Sequence, residues 1–332
     1  MPPTLEDIAR LSGVSRSTVS RIINGDARVR DETRTRVEVV IASLNYHPNL
    51  AARGLAEGRT SILGLVIPIG VAAIFSDPYF PLVIQGVSAA CNSLGYAVML
   101  WLPEPDYESR MIGQILNNSL IAGIIVTSMR VDDPLIDLLA ASGRAFLTIG
   151  RHPTNDKVSY VDVDNRRGAY QGVAYMLRTG HRRIAVINGP TSAIASWDRS
   201  QGYQDALRER GLPVPAELTA EGDFTDAGGY LAMKGLLTHC PDAVFVASDA
   251  MAFGAMRAIQ EAGLRIPGDL AVVGFDDIPP AATSKPPLTT VRQPIQRLGA
   301  LAAETLIEMI SHPDGQPHRV VLPTELVIRA SC

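Results

Sequence analysis

The stretch TLEDIARLSGVSRSTVSRIIN, residues 4–24, decides how the front of the chain folds. Thr4 is a typical N-cap residue with an acidic residue three positions later, so a first helix is predicted over residues 5–11. Gly13 interrupts the pattern, because glycine adopts turn conformations that are closed to bulky side chains. Apolar residues then resume at helical spacing over residues 16–24. Two short helices around a glycine turn predict a helix-turn-helix.

The second helix, which Ser15 can cap, has an apolar face and a polar face. The apolar face holds Val19, Ile22 and Ile23, and the opposite face holds Arg16, Ser17, Ser20 and Arg21. Because arginine bonds bidentately to guanine O6 and N7, Arg16 and Arg21 are the candidates for reading bases, and the two serines are weaker candidates. A small helical bundle whose arginines are merely solvated fits this pattern equally well.

A third amphipathic helix is predicted over residues 31–44, where it would close the core of a three-helix domain. After Pro48, Asn49 can cap a short segment that is marginal as an isolated helix. We therefore expect a helix-turn-helix domain at residues 1–47 and a hinge helix with its linker at residues 48–59.

The remainder, residues 60–332, predicts an α/β core of two doubly wound lobes, because short β-rich runs alternate with amphipathic helical runs. One series of strands is predicted at residues 62–67, 97–102, 123–127 and 145–149, and a second at 160–163, 184–187, 243–247 and 270–274. The chain then returns through residues 288–293, a helix over 295–310 and a β-rich stretch ending at Arg329. The expected lobes are about 60–159 with 291–320, and about 160–290 with 321–332.

Composition narrows the class of protein. The net charge is −4, yet residues 1–59 hold nine arginines against seven acidic residues, so only the front of the chain has the sign that favours a polyanion. The first ten residues lack an apolar signal region, and no stretch is apolar for long enough to span a bilayer. The three cysteines are far apart and odd in number, which argues against a disulfide framework or a zinc site. We expect a cytoplasmic protein with no membrane partner.

The sequence lacks the motifs of the common enzyme classes, and its six histidines show no metal-ligand spacing. Asp276 and Asp277 are the one tempting carboxylate pair, but neighbouring side chains after a strand usually diverge rather than share a proton. We therefore expect no enzyme, no metal and no cofactor.

Three groups of residues together resemble the lactose-repressor and galactose-repressor family of bacterial regulators. They are residues 4–9 with 13–24, residues 44–49, and the core motifs at 163–165, 247–254 and 273–277. The resemblance covers essentially the whole chain. It implies a periplasmic-binding-protein-like core whose chain crosses between the lobes three times, and a homodimer that binds double-stranded operator DNA. No leucine heptads that could form a tetramerisation tail follow the core.

The resemblance also implies the residues that contact DNA. Arg16, Ser17 and Arg21 would face bases in the major groove, and Leu55 would wedge into the minor groove beside its two-fold mate. The full expected set is Thr4, Ser15, Arg16, Ser17, Thr18, Ser20, Arg21, Asn24, Asn49, Ala52 and Leu55.

In the core the resemblance implies a small-molecule effector, a sugar or a sugar derivative. The expected contacts are Tyr79, Phe80, Arg151, Arg199, Phe224, Ser248, Asp276 and Gln293. Purely structural roles remain open, since Arg199 could instead bridge to Asp198 or Asp205. Arg151 stands where many sugar-sensing members carry an acidic residue, and together with Arg199 it would suit a carboxylate or a phosphate.

Two other classes of protein share a two-lobed fold, namely free-standing sugar receptors and enzymes. A receptor requires export, and the chain carries a helix-turn-helix where a signal peptide would be. We expect a repressor of carbohydrate or related catabolic genes that an inducer releases from a palindromic operator, while a corepressor stays open as the alternative.

Overall fold

The computed structural model describes residues 3–23, 26, 28–46, 60–68, 71, 74, 77–103, 108–116, 118–127, 134–313 and 315–332. The chain divides into two compact units, Met1–Thr60 and Ser61–Cys332. The predicted hinge at residues 48–59 lies outside the described residues.

The front unit contains three helices, α1 (Leu5–Ser12), α2 (Arg16–Ile23) and α3 (Asp31–Ser43). Thr4 caps α1 in both directions: its hydroxyl accepts from the Asp7 backbone N–H at 3.3 Å, and its own N–H donates to the Asp7 carboxylate at 3.0 Å. Gly13 ends this helix at a φ of 68°, in the left-handed region that favours glycine. The predicted helix, turn and capping box are confirmed.

The three helices close over a small apolar core. Ile8 of α1, Val19 of α2 and Val37 of α3 are each 0% exposed and pack in one cluster. Because each helix is short, this shared burial rather than helix propensity holds the unit together.

The first lobe is a six-stranded, fully parallel sheet in the order β11-β5-β4-β3-β1-β2. Its strands are β1 (Ile62–Val66), β2 (Ala97–Trp101), β3 (Gly123–Val126), β4 (Phe146–Ile149), β5 (Tyr160–Val163) and β11 (Arg319–Leu322). Its helices are α4 (Tyr79–Ser93), α5 (Glu108–Leu116), α6 (Pro134–Ser142) and α11 (Ile295–Ser311). Val66 and Ile125 are 0% exposed, as expected for a sheet that helices cover on both faces.

The second lobe has the sheet order β12-β10-β9-β8-β6-β7, with β12 antiparallel to β10. Its strands are β6 (Ile184–Asn188), β7 (Thr219–Glu221), β8 (Ala243–Val246), β9 (Ala271–Asp276), β10 (Thr289–Arg292) and β12 (Glu325–Val327). Its helices are α7 (Asn165–Arg178), α8 (Ile194–Glu209), α9 (Asp226–Leu237) and α10 (Asp249–Glu261), with 3₁₀ turns at Ala216–Leu218 and Pro279–Ala282.

The lobe boundaries differ from the prediction at strand β5. This strand was assigned to the second lobe, but it pairs in parallel with β4 and β11 in the first sheet, with Thr148 opposite Tyr160. Likewise β10 lies wholly in the second sheet and β11 in the first. An apolar run identifies a strand but not its neighbours, which is why the assignment was wrong. The three expected crossings are present, between β5 and α7, between β10 and α11, and between β11 and β12.

Glycines let the helices of each lobe pack at close range. A Cβ built at Gly202 of α8 would overlap the Arg166 carbonyl oxygen of α7. A Cβ at Gly254 of α10 would overlap the Asp226 carbonyl oxygen of α9. In both cases the obstacle is backbone, which cannot rotate away as a flexible side chain would. Glycine is therefore required where these helices pack against each other.

We predict that Gly254→Ala lowers the free energy of unfolding of the core by about 1 to 3 kcal/mol, because α9 and α10 must separate to admit the methyl group. Gly235, in α9, is the matched control, since a Cβ there meets nothing within 4 Å. Gly235→Ala should stabilise the core by about 0.5 to 1 kcal/mol. Urea unfolding of both variants measures the difference. Equal changes in the two free energies of unfolding would contradict the argument that α9 and α10 require glycine where they pack.

Candidate functional site

A cleft that opens to solvent lies at the carboxyl ends of the parallel strands of the two sheets. Strand ends deliver much of its wall, since Thr127 follows β3, Gly150 follows β4, Ser248 lies shortly after β8 and Gln293 follows β10. Open α/β sheets bind ligands in this position.

The structure brings seven of the eight predicted effector residues to the cleft wall, which are Tyr79, Phe80, Arg199, Phe224, Ser248, Asp276 and Gln293. Sequence reasoning missed other polar lining residues, namely Asp77, Thr127, Asp162 and Asn165. Two of them, Thr127 and Asp162, lie at strand ends, so a search of every predicted strand end for polar residues would have found them.

Arg199 lies at the centre of the wall and is only 5% exposed. Its guanidinium donates to Asn165 Oδ1 at 2.8 Å and to the Ala247 carbonyl at 2.6 Å, and it lies 3.5 Å from Asp276 Oδ1. The guanidinium carbon also lies 3.7 Å from the centroid of the Phe275 ring. The alternative bridges from Arg199 to Asp198 or Asp205 are therefore absent among the described contacts.

Asp276 ends strand β9 with an unusual backbone. Its φ is 123° and that of Asp277 is 57°, so two successive non-glycine residues occupy the left-handed side of φ space. The Asp277 carboxylate is held by Arg292 Nε at 2.6 Å and by Arg329 Nη2 at 2.6 Å. The two carboxylates diverge as predicted: Asp277 is anchored by arginines, and Asp276 faces the cleft.

Burial raises the pKa of Asp276 to about 7, against the attraction of Arg199. Burial likewise raises the pKa of Asp162 to about 6, although its carboxylate accepts from the backbone N–H groups of Arg151 and Val163 at 2.9 and 2.7 Å. Burial also raises the pKa of Asp77. Three carboxyl groups thus share one cleft, and Arg199 is the only cation among the described residues that line it.

Apolar rings cover other parts of the wall. Tyr79 and Phe80 contact each other edge to face with their centroids 5.1 Å apart. Phe224 lines the cleft at a φ of 65°, and a Cβ at Gly189 would overlap its ring. Ser248 also caps α10, because its hydroxyl accepts from the Met251 N–H at 3.2 Å.

The geometry of the cleft does not support the predicted effector contact at Arg151. Arg151 is not among the residues that line the cleft, and its guanidinium forms two bonds to Asp198, at 2.9 and 2.6 Å. A guanidinium that is already paired with a carboxylate offers no free charge to an anion. A carboxylate or phosphate ligand requires both Arg151 and Arg199 in the cleft, and of these two only Arg199 lines it.

The front unit presents the outer face of α2. Arg16, Ser17 and Arg21 are exposed, and Thr18 and Ser20 are half-buried. Arg16 lies 2.9 Å from Glu6 with both side chains largely exposed, a kind of pair that contributes little to stability and exchanges readily. Ser15 caps the helix by accepting from the Thr18 N–H at 3.2 Å. Four further predicted contacts lie outside the described residues, namely Asn24, Asn49, Ala52 and Leu55.

Within the described ranges, no three histidine, cysteine, aspartate or glutamate side chains are grouped so as to hold a metal ion. None of the helices in the described part of the chain combines the length and the apolar character needed to cross a bilayer.

A helix-turn-helix and a two-lobed cleft in one chain define a class, the ligand-binding transcriptional regulators. Residues 4–49 match the model of bacterial regulatory proteins of the lacI family, and residues 173–332 match a periplasmic binding protein-like domain. The chain is 39% identical to the HTH-type transcriptional regulator CelR of Thermobifida fusca, over 99% of this chain and 98% of that protein. The chain belongs to the LacI family of DNA-binding regulators and is not an enzyme.

Two solved structures are similar over the whole chain. A complex of the transcriptional regulator CelR with cellobiose has a TM-score of 0.80 and 37% identity, covering 99% of this chain and 100% of that one. A lac repressor dimer bound to operator and the anti-inducer ONPF has a TM-score of 0.90 and 28% identity, covering 100% and 99%. The predicted family and fold class are confirmed.

We predict that Asp162 makes the core less stable as the pH rises. Its pKa is about 6 in the folded chain against an ordinary 3.8, so the folded state holds the proton more tightly than the unfolded state between these values. Its contribution to the free energy of unfolding is therefore largest below pH 4 and is lost as the pH rises through about 6.

The comparison of the parent chain with Asp162→Asn isolates this contribution from that of other titrating groups. The difference between their free energies of unfolding should fall by about 2 to 3 kcal/mol between pH 4 and pH 7. Urea unfolding at half-unit pH steps measures it. If the free energies of unfolding of the two proteins change with pH in parallel, the pKa of the Asp162 carboxyl is not shifted.

Proposed function

We propose that this protein is a repressor that binds a palindromic operator as a homodimer and is released when a neutral, polyhydroxylated sugar fills the cleft. The observation that carries the proposal is the arrangement of Arg199, Asn165 and Asp276 on one wall of a partly apolar cleft, in a chain that also carries a helix-turn-helix. The site of action is the bacterial cytoplasm, where the operator lies.

The chemistry of the cleft favours a neutral ligand. Carboxylates accept hydrogen bonds from hydroxyl groups, amides both accept and donate them, and the guanidinium donates in a fixed fork. Tyr79, Phe80 and Phe224 offer apolar surface for the C–H faces of a sugar ring. An anionic ligand would meet three carboxyl groups, of which Asp162 and Asp276 are buried, and one cation that is already paired. The cellobiose bound to the similar CelR protein supports a disaccharide of glucose as the first candidate.

The exposed face of α2 supports binding in the major groove, with Arg16 and Arg21 reading bases and Ser17 adding weaker contacts. A homodimer would place two such helices on half-sites related by two-fold symmetry. The lac repressor dimer bound to its operator supports this arrangement. Asn24, Asn49, Ala52 and Leu55 stay predicted contacts, with Leu55 as the apolar wedge in the minor groove.

Ligand binding would close the two lobes about their three crossings and so change the separation of the two DNA-binding units in the dimer. A coupling of about 1 to 3 kcal/mol between the ligand and the operator is enough for regulation. We propose that the ligand favours the DNA-free arrangement, which makes it an inducer. A ligand that tightened operator binding would instead define a corepressor.

For the DNA-binding face we predict that selection from a random duplex pool enriches one pseudo-palindrome. Arg21→Ala should cost about 1 to 3 kcal/mol at the position that it reads and relax the base preference there. Arg36→Ala is the matched control, because it removes the same charge from an exposed site on α3 and should leave the base preference unchanged. Equal loss of preference in both variants, or binding that salt abolishes without any preference, would contradict the proposal.

For the cleft we predict that calorimetric titration detects cellobiose or another neutral sugar, and that sugar phosphates and sugar acids do not bind. Asp276→Asn should weaken sugar binding about 10- to 100-fold at a pH above 7, where the carboxyl is ionised, since a hydrogen bond to a charged group is worth about 1.5 to 3 kcal/mol. Asp269→Asn, at an exposed carboxylate of the same lobe, is the control and should bind normally. Preferential binding of an anionic sugar would overturn the assignment of the ligand class.

A further inference from the structure

An ion pair connects the first lobe to the second lobe. Arg151 follows strand β4 of the first lobe, and Asp198 lies in the first turn and a half of α8 in the second lobe. The guanidinium donates from Nε to Asp198 Oδ2 at 2.9 Å and from Nη2 to Oδ1 at 2.6 Å. The two side chains are 27% and 13% exposed, so the pair is shielded from much of the solvent. This bidentate geometry is the strong form of an arginine–carboxylate contact.

Arg151 contacts both lobes. Its backbone N–H donates to Asp162 Oδ2 at 2.9 Å within the first lobe. Its guanidinium carbon lies 5.4 Å from the centroid of the Trp197 ring, on α8 of the second lobe. The loop after β4 is therefore attached to the first lobe through its backbone and to the second lobe through its side chain.

The pair lies beside the cleft. Gly150, immediately before Arg151, lines the cleft from the first lobe, and Ala195, three residues before Asp198, lines it from the second. Separation of the lobes would pull the guanidinium away from the carboxylate and from Trp197, because Arg151 follows a strand of the first lobe whereas Asp198 and Trp197 lie on α8 of the second.

We propose that the Arg151–Asp198 pair is a latch that holds the cleft closed and sets how long a bound ligand stays. The latch rests on the proposed function for its role in ligand release, but the closure of the ligand-free chain tests it independently. It assigns to Arg151 a positioning role in place of the direct ligand contact expected from the sequence.

Closure of the ligand-free chain can be followed through Trp197, which is 55% exposed. The chain has two tryptophans, so Trp101→Phe leaves Trp197 as the single reporter. Quenching by acrylamide then measures how open its surroundings are. Asp198→Asn leaves Arg151 and Trp197 in place, and the exchanged variant Arg151→Asp with Asp198→Arg restores an ion pair of reversed direction.

We expect Asp198→Asn and Arg151→Gln each to raise the quenching constant of Trp197 about twofold, and the exchanged variant to return it towards the parent value. The double variant Arg166→Gln with Asp205→Asn is the control, because it removes an Arg–Asp pair of 2.6 Å that also involves α8 but lies wholly within the second lobe. Unchanged quenching in Asp198→Asn, or an equal rise in the control, would overturn the latch.

Ligand release is measured separately by stopped-flow with cellobiose. The dissociation rate constant should rise about 5- to 10-fold in Asp198→Asn and recover in the exchanged variant, while the association rate constant should not fall, because a more open ligand-free cleft admits the ligand at least as readily. Failure of cellobiose and other neutral sugars to bind the parent chain would count against the proposed ligand class, and the quenching result would still decide the latch. Unchanged dissociation in a chain that binds cellobiose would overturn its role in release.

Discussion

The buried charge of Arg199 is the constraint on which the cleft depends. A guanidinium removed from water costs several kcal/mol unless hydrogen bonds and an opposite charge surround it. Here the partners come from separate places in the chain: Asn165 at the start of α7, the Ala247 carbonyl after β8, and Asp276 at the end of β9. The hydrogen bonds of the Arg199 side chain therefore fix the relative positions of three elements of the second lobe. The guanidinium that fixes these elements also forms part of the cleft lining.

Asp276 shows how the fold supports a costly arrangement. Its carboxyl is buried with a raised pKa, and its backbone occupies a region of φ that is unfavourable for a residue with a Cβ. Compensation comes from outside the cleft, where Arg292 and Arg329 hold Asp277, and from Gln293, whose amide donates to Asp276 at 2.6 Å. Because two arginines anchor the following residue, the strand can end in a strained turn that directs Asp276 inward.

The features that the sequence predicts correctly are those that short-range interactions determine. The Thr4 capping box, the left-handed Gly13 and the alternation of strands and helices follow from short-range preferences, and the structure reproduces them. Most of the cleft is predictable as well, because parallel strands deliver their ends to one edge of a sheet.

Contacts between distant segments account for the errors. Strand β5 has the same apolar composition as the strands of either sheet, and only its pairing with β4 and β11 places it in the first. The contact of Arg151 with the ligand is expected from the family resemblance, which places this residue where many sugar-sensing members carry an acidic one. Its partner Asp198 lies 47 residues away on the other lobe, and no local pattern relates the two positions.

The same pairing explains the chemical character of the cleft. With Arg151 bound to Asp198, the lining presents three carboxyl groups and one guanidinium that is itself shared among protein acceptors. Such a lining offers hydrogen-bond acceptors to hydroxyl groups. A substitution that released Arg151 would change two properties together, since it would loosen the connection between the lobes and supply a free cation at the edge of the site. Ligand class and lobe closure are therefore linked through one side chain, whose charge is satisfied only when the lobes are together.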